Sequence, residues 1–109
     1  MSGRRASRWS GAAGLNQFNR ANNFANLGYW IRESCQGRRY AAEAARVLAD
    51  FGLRTLALGR VEIVAAEANR PSRRVAEKVG ARFEGVLRNR LVVHGVPCDA
   101  ALYSLVRER

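Results

Sequence analysis

Histidine and cysteine are scarce in this sequence, and their scarcity excludes several kinds of site. His94 is the only histidine, and Cys35 and Cys98 lie far apart, so the sequence encodes neither a zinc site nor a Cys–His catalytic pair by proximity. In a reducing cytosol we expect both cysteines to be free thiols. No apolar run approaches the roughly 20 residues of a membrane span, and the basic start lacks the apolar stretch of a signal peptide. The sequence predicts a cytoplasmic protein that binds no metal and no membrane.

Lysine is also nearly absent, although the chain is strongly basic. The formal net charge is +10, and every basic residue except Lys78 is an arginine. Such a charge raises the possibility of a nucleic-acid-binding module, which remains a less favoured alternative. A base-stacking surface needs aromatic residues interleaved with arginines on one strand face, and the aromatics here lie mostly in apolar contexts. The skew towards arginine is more typical of a codon-biased genome.

The length and composition fit one folded domain. Of the 109 residues, 48% are hydrophobic and 26% are charged, which is typical of globular proteins. Residues 1–13 are small, basic and without periodicity, so we expect a disordered or irregular lead-in. Residues 14–109 then form the domain, which is long enough to bury a core.

Residue patterns predict the order strand, helix, strand, helix and hairpin. A strand remnant over Gly14–Asn23 precedes a strand over Phe24–Arg32. The segment Tyr40–Leu58 has a helical period and ends at Gly59 or earlier, at Gly52. The residues expected to face the sheet are Ala41, Ala44, Ala45, Leu48 and Phe51.

The second half of the sequence again predicts a strand followed by a helix. The apolar run Val61–Ala66 predicts an interior strand, which a right-handed crossover makes parallel to the first. Asn69 and Pro71 are typical of a helix start, and Gly80 of a helix end, with Val75, Ala76 and Val79 as the apolar positions. We expect two further strands, Arg82–Val93 and Cys98–Val106, on either side of a turn over residues 94–97. The second of these strands is expected to lie deep in the sheet.

The turn after the first full strand is predicted to bind phosphate. Residues Gln36, Gly37, Arg38, Arg39, Tyr40 and Ala41 place backbone N–H groups at a helix N-terminus, where the helix dipole favours an anion. The strand residues Tyr29, Trp30 and Ile31 precede this turn, and Asn69 and Ser72 follow the next strand. Polar groups therefore converge at the carboxyl ends of two parallel strands, where open α/β sheets bind ligands.

Four stretches together resemble the GNAT superfamily of N-acetyltransferases, within it the ribosomal-protein N-terminal acetyltransferases. They are Gly28–Ile31, Gln36–Ala45, Asn69-x-x-Ser72 with Glu77–Gly80, and Glu84–Arg88. The resemblance runs from about Gly14 to Val106. It implies an α/β fold with a mixed central sheet flanked by helices, which lacks the first strand and the first two helices of the family.

The resemblance also implies a reaction and its residues. Acetyl-CoA would lie with its pantetheine arm along Tyr29, Trp30 and Ile31 and its pyrophosphate on the N–H groups of Gln36–Ala41. Asn69 would bind the pantetheine, and Ser72 would approach the departing sulfur. Glu84 would act as general base with a raised pKa, or would be an exposed acid at a strand start. The acceptor would be a primary amine, such as a protein N-terminus.

Three departures from the family pattern bear on activity. Arg39 stands where the family has glycine, and a positive φ there would cost about 1 kcal/mol. The family's tyrosine general acid falls on Ala76. With the front of the fold missing as well, a catalytically impaired remnant that acts as a binding module is the main alternative. The open sheet edge left by the missing strands is one that a homodimer could cover.

Overall fold

The computed structural model describes residues 11–31 and 35–107, which form a five-stranded sheet and two helices. The order of the strands in the sheet is β1-β2-β3-β5-β4, with β2 and β3 parallel and the other neighbours antiparallel. The predicted α/β class with a mixed sheet is confirmed. In chain order the elements are β1 (Gly11–Asn19), β2 (Phe24–Ile31), α1 (Cys35–Asp50), a π-helical turn (Phe51–Thr55), β3 (Arg60–Ala66), α2 (Arg70–Val79), β4 (Arg82–Val93) and β5 (Val96–Val106).

The core lies between the sheet and the two helices. Alternate residues of β3, beginning with Val61 and Ile63, are buried on the helix side, as the period of a strand requires. The helices contribute mainly small side chains, so that α1 lies close to β1 and β2 and also contacts α2. The fully buried members include Ala41, Ala45, Val75, Ala76 and Tyr103.

Helix α1 differs from its prediction at both ends. It begins at Cys35, five residues before the expected start, so the predicted phosphate-binding turn is helical. The α-helix ends at Asp50 and continues as the π-helical turn, in which Gly52 is buried. Phe51 is 45% exposed, contrary to the prediction, because the buried face continues through Ala49 to Gly52.

Other boundaries are confirmed or move by a few residues. Strand β1 begins at Gly11, inside the predicted lead-in, and residues 1–10 and Arg32 lie outside the described residues. The predicted turn over residues 94–97 is shorter, because His94 and Gly95 both have positive φ and form a two-residue hairpin turn. Strand β5 lies between β3 and β4, as expected. None of the described helices is long and apolar enough to cross a membrane.

Helix α2 matches its prediction residue by residue. The Asn69 side chain accepts a hydrogen bond from the Ser72 N–H, and Pro71 lies in the first turn. Gly80 ends the helix with φ of 92° in the left-handed region, and its N–H bonds back to the carbonyls of Ala76 and Glu77. A side chain is strained in this conformation, which explains glycine here.

Replacing Gly80 therefore tests the end of this helix. A Cβ at Gly80 or at Gly14 meets no atom within 4 Å, but only Gly80 has positive φ. We expect Gly80→Ala to lower the free energy of unfolding by about 1 kcal/mol, through backbone strain alone. Urea denaturation measures the loss, with Gly14→Ala as the matched control. Equal stability of the two variants would contradict the assignment.

Candidate functional site

A wedge-shaped gap opens between the parallel strands β2 and β3. Only three residue pairs join them, from Phe24–Arg60 to Asn26–Glu62. Both strands continue past this point, β2 to Ile31 and β3 to Ala66, each still paired with its other neighbour. Among the described residues, no strand satisfies the gap-facing backbone groups of residues 27–31. Such groups bind an extended ligand that carries its own amides, as an added strand would.

The N-terminus of helix α1 follows the open part of β2. The first N–H groups of a helix have no partner within it and carry partial positive charge, so they can hold an anion. Residues Gln36–Ala41 thus lie in the first two turns of α1 instead of in a loop before it. Ala41 is fully buried in the core, while Arg39 and Tyr40 are exposed.

The expected strain at Arg39 is absent. Arg39 lies within the helix, and it is not among the residues with positive φ. The helical start explains this result, because an arginine adopts helical angles without cost. The side chains of Trp30, Ile31 and residues 35–38 lie outside the described part of the structure, so their predicted contacts stay predictions.

Tyr29 links the two sides of the gap. Its side chain packs against the core, and its hydroxyl donates a hydrogen bond of 2.6 Å to the carbonyl oxygen of Ser72. Burial raises the pKa of Tyr29 above its ordinary value, and the nearby Tyr103 adds to the rise. Tyr29 is therefore a neutral donor at any ordinary pH.

Ser72 is held at both of its backbone polar groups. Its N–H donates to Asn69 Oδ1 at 3.2 Å, and its carbonyl accepts from Tyr29. The structure thus brings together Tyr29, Asn69 and Ser72 at the carboxyl end of β3. The cap uses only the oxygen of the Asn69 side chain, and its amide nitrogen donates to no residue that the structure describes.

Glu84 does not have the raised pKa expected of a general base. Its carboxylate accepts two hydrogen bonds from the Arg60 guanidinium, at 2.6 Å and 3.0 Å, and a third from the Ser104 hydroxyl. These donors stabilise the charged form, Arg60 most strongly, and lower the pKa of Glu84 to about 2. Arg60 also pairs with Glu62 at 2.8 Å.

The position of Glu84 separates it from the other candidates. Arg60 is the first residue of β3, whereas Asn69 and Ser72 follow the last. Glu84 shares its sheet face with Glu62 and Ser104, opposite the face that the helices cover. Sequence reasoning missed Arg60 because its partner is 24 residues away and only strand pairing brings them together.

A second cluster lies under helix α2. Tyr103 is 1% exposed and its hydroxyl accepts a hydrogen bond of 3.0 Å from Arg73 Nε. The guanidinium of Arg73 also lies 5.5 Å from the centre of the Phe83 ring and donates to the Glu67 carbonyl. This cluster attaches α2 to the strands β4 and β5. Among the described residues, no acidic, histidine or cysteine cluster could hold a metal ion.

The Glu84 network predicts a pH-dependent stability. The folded pKa lies below the ordinary value of 4.5, so the contribution is complete above about pH 4.5 and is lost as the pH falls towards 2. We expect Glu84→Gln to lower the free energy of unfolding at pH 7 by about 1–2 kcal/mol, after allowance for solvent screening.

Urea unfolding of both proteins between pH 7 and pH 3 measures this difference. The gap between wild type and Glu84→Gln should narrow as the pH falls below 4.5. Glu43→Gln, at an exposed position of α1, controls for the loss of one negative charge. A difference that is independent of pH would contradict the ion pair.

Comparison with known proteins identifies the family. Residues 2–82 match the family described as acetyltransferase (GNAT) domain. The chain is 36% identical over 97 residues to the "Putative ribosomal N-acetyltransferase YdaF" of Bacillus subtilis, an alignment that covers 89% of this chain and 53% of that protein. The chain spans about half the length of the curated relatives it matches.

Solved structures agree with this assignment. A "putative ribosomal-protein-serine acetyltransferase" from Vibrio cholerae matches with a TM-score of 0.80 and 36% identity, over 89% of this chain and 56% of that one. The Microcin C7 self-immunity acetyltransferase MccE, solved in complex with acetyl-CoA and AMP, matches with a TM-score of 0.76 and 28% identity, over 89% of this chain and 54% of that one. The predicted resemblance is confirmed, and the chain belongs to the acetyltransferase (GNAT) domain family.

Proposed function

We propose that this chain binds acetyl-CoA and carries the donor half of an N-acetyltransferase that modifies a primary amine, with protein N-termini as the acceptor class. One observation carries the proposal, namely the gap between β2 and β3. It combines unpaired strand backbone, a helix N-terminus and a positioned Ser72 at one end of the sheet. The family and the acetyl-CoA complex of a relative support the same ligand.

The shape of the gap suits the chemistry of this donor. The pantetheine arm carries two amides, which suit the gap-facing backbone groups of residues 27–31. The pyrophosphate suits the N–H groups at the start of α1, with Gln36, Gly37 and Arg38 as the nearest residues. Asn69 is proposed to bind the arm through its free amide nitrogen.

Acetyl-CoA supplies an activated thioester. Attack by a neutral amine forms a C–N bond and breaks the C–S bond. The amine nitrogen loses one proton, and the sulfur of coenzyme A leaves with one proton gained. A backbone N–H near Trp30 or Ile31 is proposed to stabilise negative charge on the carbonyl oxygen during this step. Ser72 is proposed to donate a proton to the departing sulfur, since Ala76 offers none.

The contacts of Glu84 argue against the role of general base that the resemblance implies for it. Glu84 is ionised and fully engaged by Arg60 and Ser104, so it is a poor acceptor for the amine proton. We therefore propose that the amine proton passes to water, and that water returns a proton to Ser72 after Ser72 has protonated the departing sulfur. The contacts of Glu84 with Arg60 and Ser104 are instead proposed to tie β3 to β4 across β5.

A binding module without catalysis is the second candidate. The observation that favours it is that Arg60 and Ser104 hold Glu84, the expected general base, as a carboxylate. The unstrained Arg39 weakens it, because the donor site is not distorted at that position. The expected homodimer and cytoplasmic location remain predictions.

Binding of acetyl-CoA tests the proposal directly. We expect calorimetric titration to give dissociation constants for wild type and Arg39→Gly that agree within about threefold, because an exposed arginine in a regular helix neither strains nor blocks the site. Glu43→Gly, another exposed position of α1, controls for the effect of glycine on the helix. Absence of binding by every variant would overturn the donor site, and binding by Arg39→Gly alone would identify a disabled enzyme.

The Tyr29–Ser72 hydrogen bond gives a test of catalysis. We expect Tyr29→Phe to lower kcat about threefold to tenfold while acetyl-CoA affinity stays unchanged, because the loss of one hydrogen bond frees the Ser72 backbone. Tyr103→Phe removes another buried hydroxyl, one bonded to Arg73 and not to Ser72, and serves as the matched control. An equal loss of kcat in both variants would show that general destabilisation, and not Ser72, causes the effect.

A further inference from the structure

The β4–β5 hairpin extends past the end of β3 as a two-stranded arm, residues 88–99. Strand β3 ends at Ala66, which pairs with Ala100, and the next contact is the hydrogen bond from the Glu67 N–H to the Asp99 carbonyl. Beyond this point the hairpin arm has no neighbouring strand among the described residues. It therefore stands at the end of the sheet where Asn69 and Ser72 lie.

The hairpin arm begins with a bulge. Leu87 pairs with Ala100 and Leu91 with Cys98, so the three residues 88–90 of β4 stand opposite Asp99 alone. At the centre of the bulge Asn89 has φ of 52°, and its N–H donates to the Asp99 carboxylate at 2.9 Å. Bulges of this kind re-aim side chains and are common next to active sites.

The bulge presents Arg88 and Arg90 together. Both side chains are exposed, and they line one shallow pocket with Val86, Leu87, Asn89 and Asp99. The only acid of the pocket, Asp99, already accepts a hydrogen bond from the Asn89 backbone. The pocket therefore has an apolar part and an excess of positive charge.

These two arginines differ from several others in the described part of the chain. Arg60 pairs with Glu84, Arg54 with Asp50, and Arg73 donates to Tyr103. Arg88 and Arg90 make no hydrogen bond or ion pair with any described residue. Their guanidinium groups are thus available for a carboxylate from a partner, with the bidentate geometry that arginine favours.

We propose that the hairpin arm binds an acidic segment of the amine acceptor, namely a peptide with carboxylate side chains downstream of its reactive amine. The inference rests on the proposed function, because the acidic peptide would be the amine acceptor of the site proposed at this end of the sheet. Exposed charges act mainly on association and on KM, so selection by the hairpin arm should leave the chemical step unchanged.

Direct binding of a labelled peptide tests this independently of catalysis. The probes are a fluorescent peptide with a free N-terminus and three downstream glutamates, and its isostere with glutamines. Anisotropy titrations compare wild type, the double variant Arg88→Gln with Arg90→Gln, and the control Arg20→Gln with Arg107→Gln. The control removes the same charge from exposed residues at the far end of the sheet.

We expect wild type and the control to bind the acidic peptide about tenfold more tightly than its glutamine isostere. This corresponds to about threefold in affinity for each arginine engaged. The double variant should lose this preference, and added salt should reduce it in wild type. If the peptides are acetylated, the same ratio should appear in KM with kcat unchanged.

Three results would overturn the inference. The first is an equal preference in the double variant and in the control. The second is no preference in wild type at low salt. The third is displacement of the acidic peptide by a short RNA that binds more tightly through the same two arginines, which would identify a nucleic-acid surface instead. Failure of acetyl-CoA binding would count against the donor site only, since peptide binding is measured without it.

Discussion

The early end of the pairing between β2 and β3 is the constraint on which the rest of the structure depends. Strand β2 is paired along its length with β1, and β3 is paired along its length with β5. The two halves of the sheet are joined by only three residue pairs. Past these pairs the strands leave backbone groups without partners, which the interior of a folded domain does not tolerate unless a ligand or water satisfies them.

The polar contacts of the structure divide between the two ends of the sheet. At the closed end, Arg60 joins β3 to β4 through Glu84, and its charge keeps that carboxylate ionised. At the open end, Tyr29 spans the gap to Ser72 and fixes the start of α2. Polar contacts therefore stabilise the sheet at one end and border the proposed binding site at the other. The difference lies in whether the neighbouring strands are paired.

Small side chains make this arrangement compact. Ala41, Ala45 and Ala76 are fully buried, which allows α1 and α2 to lie close to the sheet and to each other. The close approach lets the Tyr29 hydroxyl reach the backbone of α2. Ala76, where the family pattern expects a tyrosine, is fully buried in this core. The proposed donor site thus consists mainly of backbone groups and short side chains.

Much of this protein follows from local sequence alone. The cap at Asn69, the end at Gly80 and the alternation of Val61–Ala66 are short-range features, because caps and strand periods depend on adjacent residues. The assembly of Tyr29, Asn69 and Ser72 at one end of the sheet was also predictable, since parallel strands end at the same edge. Tertiary structure decided the rest. The partner of Glu84, the start of α1 at Cys35 and the bulge at Asn89 depend on strand register and packing, which bring together residues that the sequence keeps far apart.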